Sequence, residues 1–201
     1  MNYKFDFGSY VKKVTKEIDK LETFSLPPLQ KWIVDWDLLK SKKKNDWSMY
    51  PFDRLKSDKE YPFVYFFTTN EDYASGIYKA LLSVRITLSD FKKQKIVPQI
   101  PIPNISHVPT TFRESTCIYV GSKKSDLYGR LISHLGHGAT DTGAMHLDYA
   151  LQTMNPKPYI AFNYYKLDKK YLNITEHIES AIYDELRPFI GKRGIREFKN
   201  L

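Results

Sequence analysis

Tyr119-Val120-Gly121 closes a run of β-forming residues, and Arg130 and His134 follow it four residues apart. That spacing puts Arg130 and His134 on one helix face. Leu127, Leu131 and Leu135 make the neighbouring apolar stripe, so such a helix lays its leucines on a sheet and carries Arg130 and His134 at the border. A strand-end tyrosine beside Arg and His is the composition of a phosphate site, because a guanidinium gives paired charge-assisted hydrogen bonds to phosphate oxygens. The same spacing also fits an ordinary amphipathic helix with a solvated arginine. Further on, Glu179 shares a helical face with Ile182, Tyr183 and Leu186. A carboxylate bordering an apolar face is costly unless it is paired or binds a metal. A salt bridge or a solvated edge position is the alternative, since Glu176 and Glu185 lie on the same helix.

These residues need elements to position them. Residues 61–69 (YPFVYFFTT), 116–121 and 158–167 read as strands, and the first pairs antiparallel with the second. Helical periodicity covers 72–95 through Ile77, Leu81, Val84 and Leu88. Prolines 98, 101, 103 and 109 make 96–114 an extended loop. Asp126 is placed to cap a helix over 127–136, a short helix is expected at 144–153, and the last long helix covers 173–187. Upstream, a helix over 9–23 has Ser9 as its cap, and Pro28 opens a second through Leu39 with Trp32, Ile33, Trp36 and Leu39 on one face. The expected fold is α/β (α+β): a small, three-stranded, mostly antiparallel sheet flanked by helices. A helical N-terminal extension over 1–60 precedes a domain at 61–201 that carries an insert at about 72–114.

The chain has 201 residues, enough for one core without disulfide or metal staples. Cys117 is the single cysteine, so no internal disulfide or cysteine zinc site forms, and a reducing cytoplasm is the expected setting. Its strand-like surroundings make it a buried small residue rather than a nucleophile. Neither a membrane span nor a secretory leader is expected. Aromatics at 15% argue against disorder. Lys and Arg outnumber Asp and Glu by 31 to 23, which favours nucleic acid or another polyanion as partner. A basic protein with no such partner remains the alternative on charge alone.

Taken together, Val64-Tyr65-Phe66, Tyr119-Val120-Gly121, Arg130 with His134, and Glu179 in ESAIYDELRPFIGKRG resemble the GIY-YIG nuclease domain. The resemblance covers about residues 61–194. Three departures stand out. The two tyrosine strands are joined by a long insert rather than a short turn. The first motif reads Phe63-Val64-Tyr65, without its Gly and Ile. The place of the Asn that repair-type members carry after the proline is taken by Gly191. The literal Gly76-Ile77-Tyr78 lies in a helix-periodic run and is read as a decoy. The PFIGKRG ending looks more like the restriction-enzyme branch.

The resemblance implies a metal-dependent endonuclease that hydrolyses DNA phosphodiester bonds at specific sites. The alternative is a non-catalytic nucleic-acid-binding protein of the same fold. Glu179 would hold one Mg²⁺ or Mn²⁺ per active site, since Mg²⁺ keeps most of its waters and needs only one or two carboxylates. Arg130 would hold the scissile phosphate. Tyr65 would act as general base, with Tyr119 or His134 orienting the water. A free tyrosine has a pKa near ~10, so nearby cations must stabilise its phenolate, and Lys123 or Lys124 are candidates. Lys42, Lys43, Lys44, Lys192 and Arg193 are expected to add DNA contacts. The implied partner is double-stranded DNA, with a homodimer matching a palindromic site by symmetry. His107, His137, His146 and His177 lack metal-ligand spacing and are read as structural or solvated.

Overall fold

The run Phe63–Thr68 is apolar on both faces, so it suits an inner strand covered above and below. The computed structural model describes residues 7–41, 53–98, 102–105, 107–140 and 143–193, and it places the run in that position. Four strands, β1 (Gln30–Ile33), β2 (Phe63–Thr68), β3 (Cys117–Lys123) and β4 (Ala161–Lys166), form one sheet in the order β1-β4-β2-β3. Every neighbouring pair is antiparallel. The helices are α1 (Phe7–Glu22), α2 (Trp36–Ser41), α3 (Asp53–Ser57), α4 (Glu71–Gln94), α5 (Leu127–Leu135), α6 (Leu147–Ala150) and α7 (Thr175–Leu186). No helix among the described residues is long and apolar enough to cross a membrane.

Side chains alternate across a strand, and β2 divides the interior accordingly. Phe63, Tyr65 and Phe67 pack with Ile77 and Leu81 of α4 and with Leu127, Leu131 and Leu135 of α5. On the other face, Val64 packs with Ile174 and Ile178, while Phe66 packs with Val120, Ile182 and Leu186. Phe63, Phe67 and Phe162 are fully buried, and each contributes about 1.5–3 kcal/mol through removal from water. The register sets Tyr65 opposite Gly121 of β3 and opposite Tyr164 of β4.

The sheet has four strands rather than the three expected. Residues 28–39 form a strand and a short helix instead of one helix. Gln30–Ile33 pairs with β4, Gln30 opposite Tyr164 and Ile33 opposite Ala161. A short apolar window fits either period, and here the open edge of β4 decides. The helix begins only at Trp36, where Asp35 Oδ1 accepts from the Asp37 and Leu38 amides at 3.1 and 3.0 Å. Trp32 and Trp36 therefore sit on different elements, and Trp36 Nε1 donates to Pro158 O at 2.7 Å. Ser9 lies within α1, not at its cap. The helix expected at 144–153 shortens to α6, and that expected at 173–187 is α7, preceded by a 3-10 turn over Lys169–Ile174.

Candidate active site

Three local devices aim the site residues. Asp126 caps α5, its carboxylate accepting from the Gly129 amide at 3.3 Å, and Gly136 ends the helix at φ 113°. That left-handed φ suits glycine, so α5 stops just after presenting Arg130 and His134. After α7, Phe189 and Ile190 donate to the carbonyls of Cys117 and Ile118, which holds the chain along the outer edge of β3. Gly191 (φ 95°) then turns to His107 O at 2.7 Å.

Tyr65, Tyr119, Arg130 and His134 converge. The Arg130 Nε donates to the Tyr65 hydroxyl at 3.3 Å, and its Nη2 donates to the Tyr119 hydroxyl at 3.5 Å and to Gly143 O at 3.0 Å. Its Nη1 makes no hydrogen bond among the described residues. Tyr65 Oη lies 3.0 Å from His134 Nε2, and the Met145 amide donates to His134 Nδ1 at 3.2 Å. Burial drives the His134 pKa well below the usual 6.5, with Arg130 and His146 adding to the effect, so the ring is neutral. A neutral ring that accepts at Nδ1 carries its proton on Nε2. The Tyr65 oxygen thus accepts two N–H groups, and its own proton is held by neither. Burial also holds the Tyr65 pKa well above 10, Tyr119 raises it further, and Arg130 opposes both.

Tyr119 is clasped by two glycines. A Cβ on Gly121 would come within 2.7 Å of the Tyr119 ring and 2.8 Å of the Tyr65 hydroxyl. One on Gly191 would reach the other side of the Tyr119 ring at 3.1 Å. Gly121 was visible in the sequence as part of its motif. The contacts of Gly191, Gly143 and Met145 with the site residues were not, because two of the three act through backbone atoms and the third by lacking a side chain.

Glu179 stands apart from this group. It is buried on α7, and the Ser122 hydroxyl donates to its Oε2. Adjacent side chains on a strand point to opposite faces, so Gly121 faces Tyr65 while Ser122 faces α7. Glu179 is therefore one strand position from the tyrosine cluster but across the sheet. No hydrogen bond or ion pair joins it to the cluster among the described residues. Because β3 is an edge strand, the two faces meet around its rim. Burial raises the Glu179 pKa, Ser122 counters this, and Glu176 adds repulsion. No cationic side chain pairs with Glu179 among the described residues. A buried carboxylate under net negative pressure suits a divalent cation that brings its own waters. No group of three or more His, Cys, Asp or Glu able to hold a metal occurs among the described residues.

The predicted basic contacts scatter. Lys124 pairs with Glu176 at 3.0 Å, whereas Lys123 is exposed and shares the strand face of Gly121 by alternation. Arg193 is drawn to Asp184, with Nη2 at 2.6 Å. Lys192 lines a cleft with Tyr119. Lys42, Lys43 and Lys44 lie outside the described residues. Cys117 is buried, which pushes its thiol up to about 12. His146 is buried at the start of α6, and His177 is exposed. The chain matches no protein-family model, no curated protein and no solved structure.

Proposed function

We propose that this chain is a metal-dependent endonuclease of GIY-YIG type that hydrolyses DNA phosphodiester bonds at specific sites. The observation that carries the reading is Arg130 bridging the Tyr65 and Tyr119 hydroxyls while Nη1 is left over among the described residues. A guanidinium anchored through Nε and Nη2 presents its remaining N–H groups in a fixed direction, which is how an arginine holds a phosphate without losing orientation.

In this reading Arg130 Nη1 binds the scissile phosphate and offsets the charge that grows on it in the transition state. Tyr65, after losing its own proton to solvent, takes one from the attacking water as a phenolate and returns to the neutral phenol. Its oxygen is held by His134 and Arg130, whose donated hydrogen bonds favour the phenolate that must form before the water's proton is taken. Tyr119, braced by Gly121 and Gly191, keeps the guanidinium in plane and borders the water. His134 stays neutral and fixes the Tyr65 oxygen. A cation at Glu179 would stabilise the leaving 3′ oxygen. The +8 formal charge supports a polyanionic substrate.

The test is incubation of the purified chain with supercoiled and linear DNA of varied sequence, with and without Mg²⁺. Discrete fragments that require the cation are expected. DNA binding without cleavage under all divalent cations would instead establish the non-catalytic binding protein.

A further inference from the structure

A cleft of about 700 Å³ opens beside the tyrosine cluster, and the activity proposed above leaves it unused. Its lining includes Tyr119 and Gly143, the same two residues that receive Arg130 Nη2. One wall is α4, where Arg85, Ser89 and Lys92 fall at helical spacing on one face. His107 and Lys192 also line the cleft. No Asp or Glu lines it among the described residues. Among the described residues the one ion pair drawn from its walls is Lys93 with Asp90 at 3.7 Å, both largely exposed.

The positive field inside has a local witness. Arg85 Nη1 donates to His107 Nδ1 at 3.2 Å. The His107 pKa is lowered by burial first, then by Arg85 and Lys192. Cations gathered along one cleft repel each other, and an anion bound among them removes the repulsion.

We propose that this cleft seats the phosphate backbone of the strand being cut, on one side of the scissile bond, with Arg85, Lys92 and Lys192 as its phosphate contacts. The proposal rests on the nuclease reading and extends it. It assigns this face of the 72–114 insert to positioning the DNA, not to reading bases, since phosphate contacts fix register and carry no sequence information directly.

The experiment measures anisotropy of a labelled 20-base-pair duplex in EDTA across a salt series. It compares the unaltered chain with the triple variant Arg85→Gln, Lys92→Gln, Lys192→Gln. Affinity should fall on the order of a hundredfold at 0.1 M salt, and the log–log salt slope should shrink by about 0.9 for each cation lost. Cleavage by the variant in Mg²⁺ should show a raised KM with kcat largely kept. Lys31→Gln, on the far edge strand, should change neither. If the triple variant unfolds, each single replacement should give about a third of the slope change. In the unaltered chain, DNA should move the His107 titration back up toward 6.5 by NMR. Unchanged affinity and slope in a folded triple variant would overturn the proposal while cleavage by the unaltered chain left the nuclease reading standing. Absence of both binding and cleavage by the unaltered chain would remove both. Tighter binding of an RNA duplex of the same sequence would overturn the assignment to DNA.

Discussion

His134 Nε2 and the Tyr65 hydroxyl lie 3.0 Å apart with both side chains buried, joining the proposed general base to a ring that cannot take the proton itself. Because Nδ1 already accepts from Met145, the imidazole is oriented by the backbone and donates to Tyr65. His134 is thus a positioning residue. His134→Ala should cost about 2–4 kcal/mol of stability, through the cavity and the orphaned Met145 amide. Arg130→Lys should leave stability nearly unchanged and lower kcat by orders of magnitude, since an ammonium cannot span two hydroxyls and a phosphate in one plane. Denaturant midpoints measured beside turnover check the contrast. Equal, small losses of turnover in both variants would make this helix face structural.

Stability should be greatest in a window bounded by these same two groups. The folded His134 pKa lies below 6.5, so below about 6.5 the unfolded chain binds more protons and stability falls as pH drops. The folded Tyr65 pKa lies above 10, so above about 10 the unfolded chain has released a proton the fold retains, and stability falls as pH rises. Urea midpoints recorded across this range should decline on both sides. Tyr65→Phe should weaken the alkaline decline and leave the acid one. Turnover should climb with pH up to the alkaline limit of stability, because the proposed base carries a raised pKa.

Most of the candidate site is legible in the sequence because its signals are local. The i, i+4 spacing of Arg130 and His134, the Asp126 cap and the β-rich runs each depend on a few neighbouring residues. Tyr78 was separable from Tyr65 by the same means, one in a helical period and one in a strand. What escaped depends on contacts between distant segments. Whether Gln30–Ile33 would be strand or helix was settled by the vacant edge of β4, about 130 residues on. That Glu179 faces the opposite side of the sheet from Tyr65 follows from register, which alternation alone does not set until Tyr65 is known to lie opposite Gly121.

Gly121 should be intolerant for a reason particular to its place. An added Cβ would meet the Tyr119 ring and the Tyr65 hydroxyl under 3.0 Å, and both partners are hemmed in, Tyr65 by His134 and Tyr119 by Gly191. Gly121→Ala should abolish cleavage and cost about 1–3 kcal/mol through overpacking. Gly143→Ala is the matched control, because its Cβ would meet nothing within 4 Å and its carbonyl still receives Arg130. It should keep near-parental turnover. Loss of activity in both would mean that the 143 region needs glycine for some other reason.

Glu179→Gln removes a buried charge whose folded pKa lies above 4.5, so the ionised form costs stability at neutral pH. The variant should therefore be at least as stable as the parent near pH 7 while losing Mg²⁺-dependent cleavage. Calorimetric titration with Mg²⁺ or Mn²⁺ should show binding to the parent in the presence of DNA and none to the variant. Full cleavage by Glu179→Gln would remove this residue from the reaction and leave it a buried partner of Ser122.

The two tyrosines that can pass for the first motif make the most direct test of mechanism. Tyr78 is buried in α4, and its hydroxyl donates to Pro109 O at 2.9 Å, away from Arg130. Tyr78→Phe should cost about 1 kcal/mol for one hydrogen bond and leave cleavage intact. Tyr65→Phe removes the oxygen that receives both His134 and Arg130. It leaves the buried His134 Nε2 and the half-buried Arg130 Nε without that acceptor, so some stability is lost, yet the ring still packs among Phe67 and Phe162 and the fold should hold. Cleavage should fall by several orders of magnitude, and DNA affinity in EDTA should stay close to parental, because the phosphate contact belongs to Arg130. A Tyr65→Phe chain that binds and cuts like its parent would take the general-base role away from Tyr65. Tyr119, which bonds the same guanidinium, would then be the phenol to replace next.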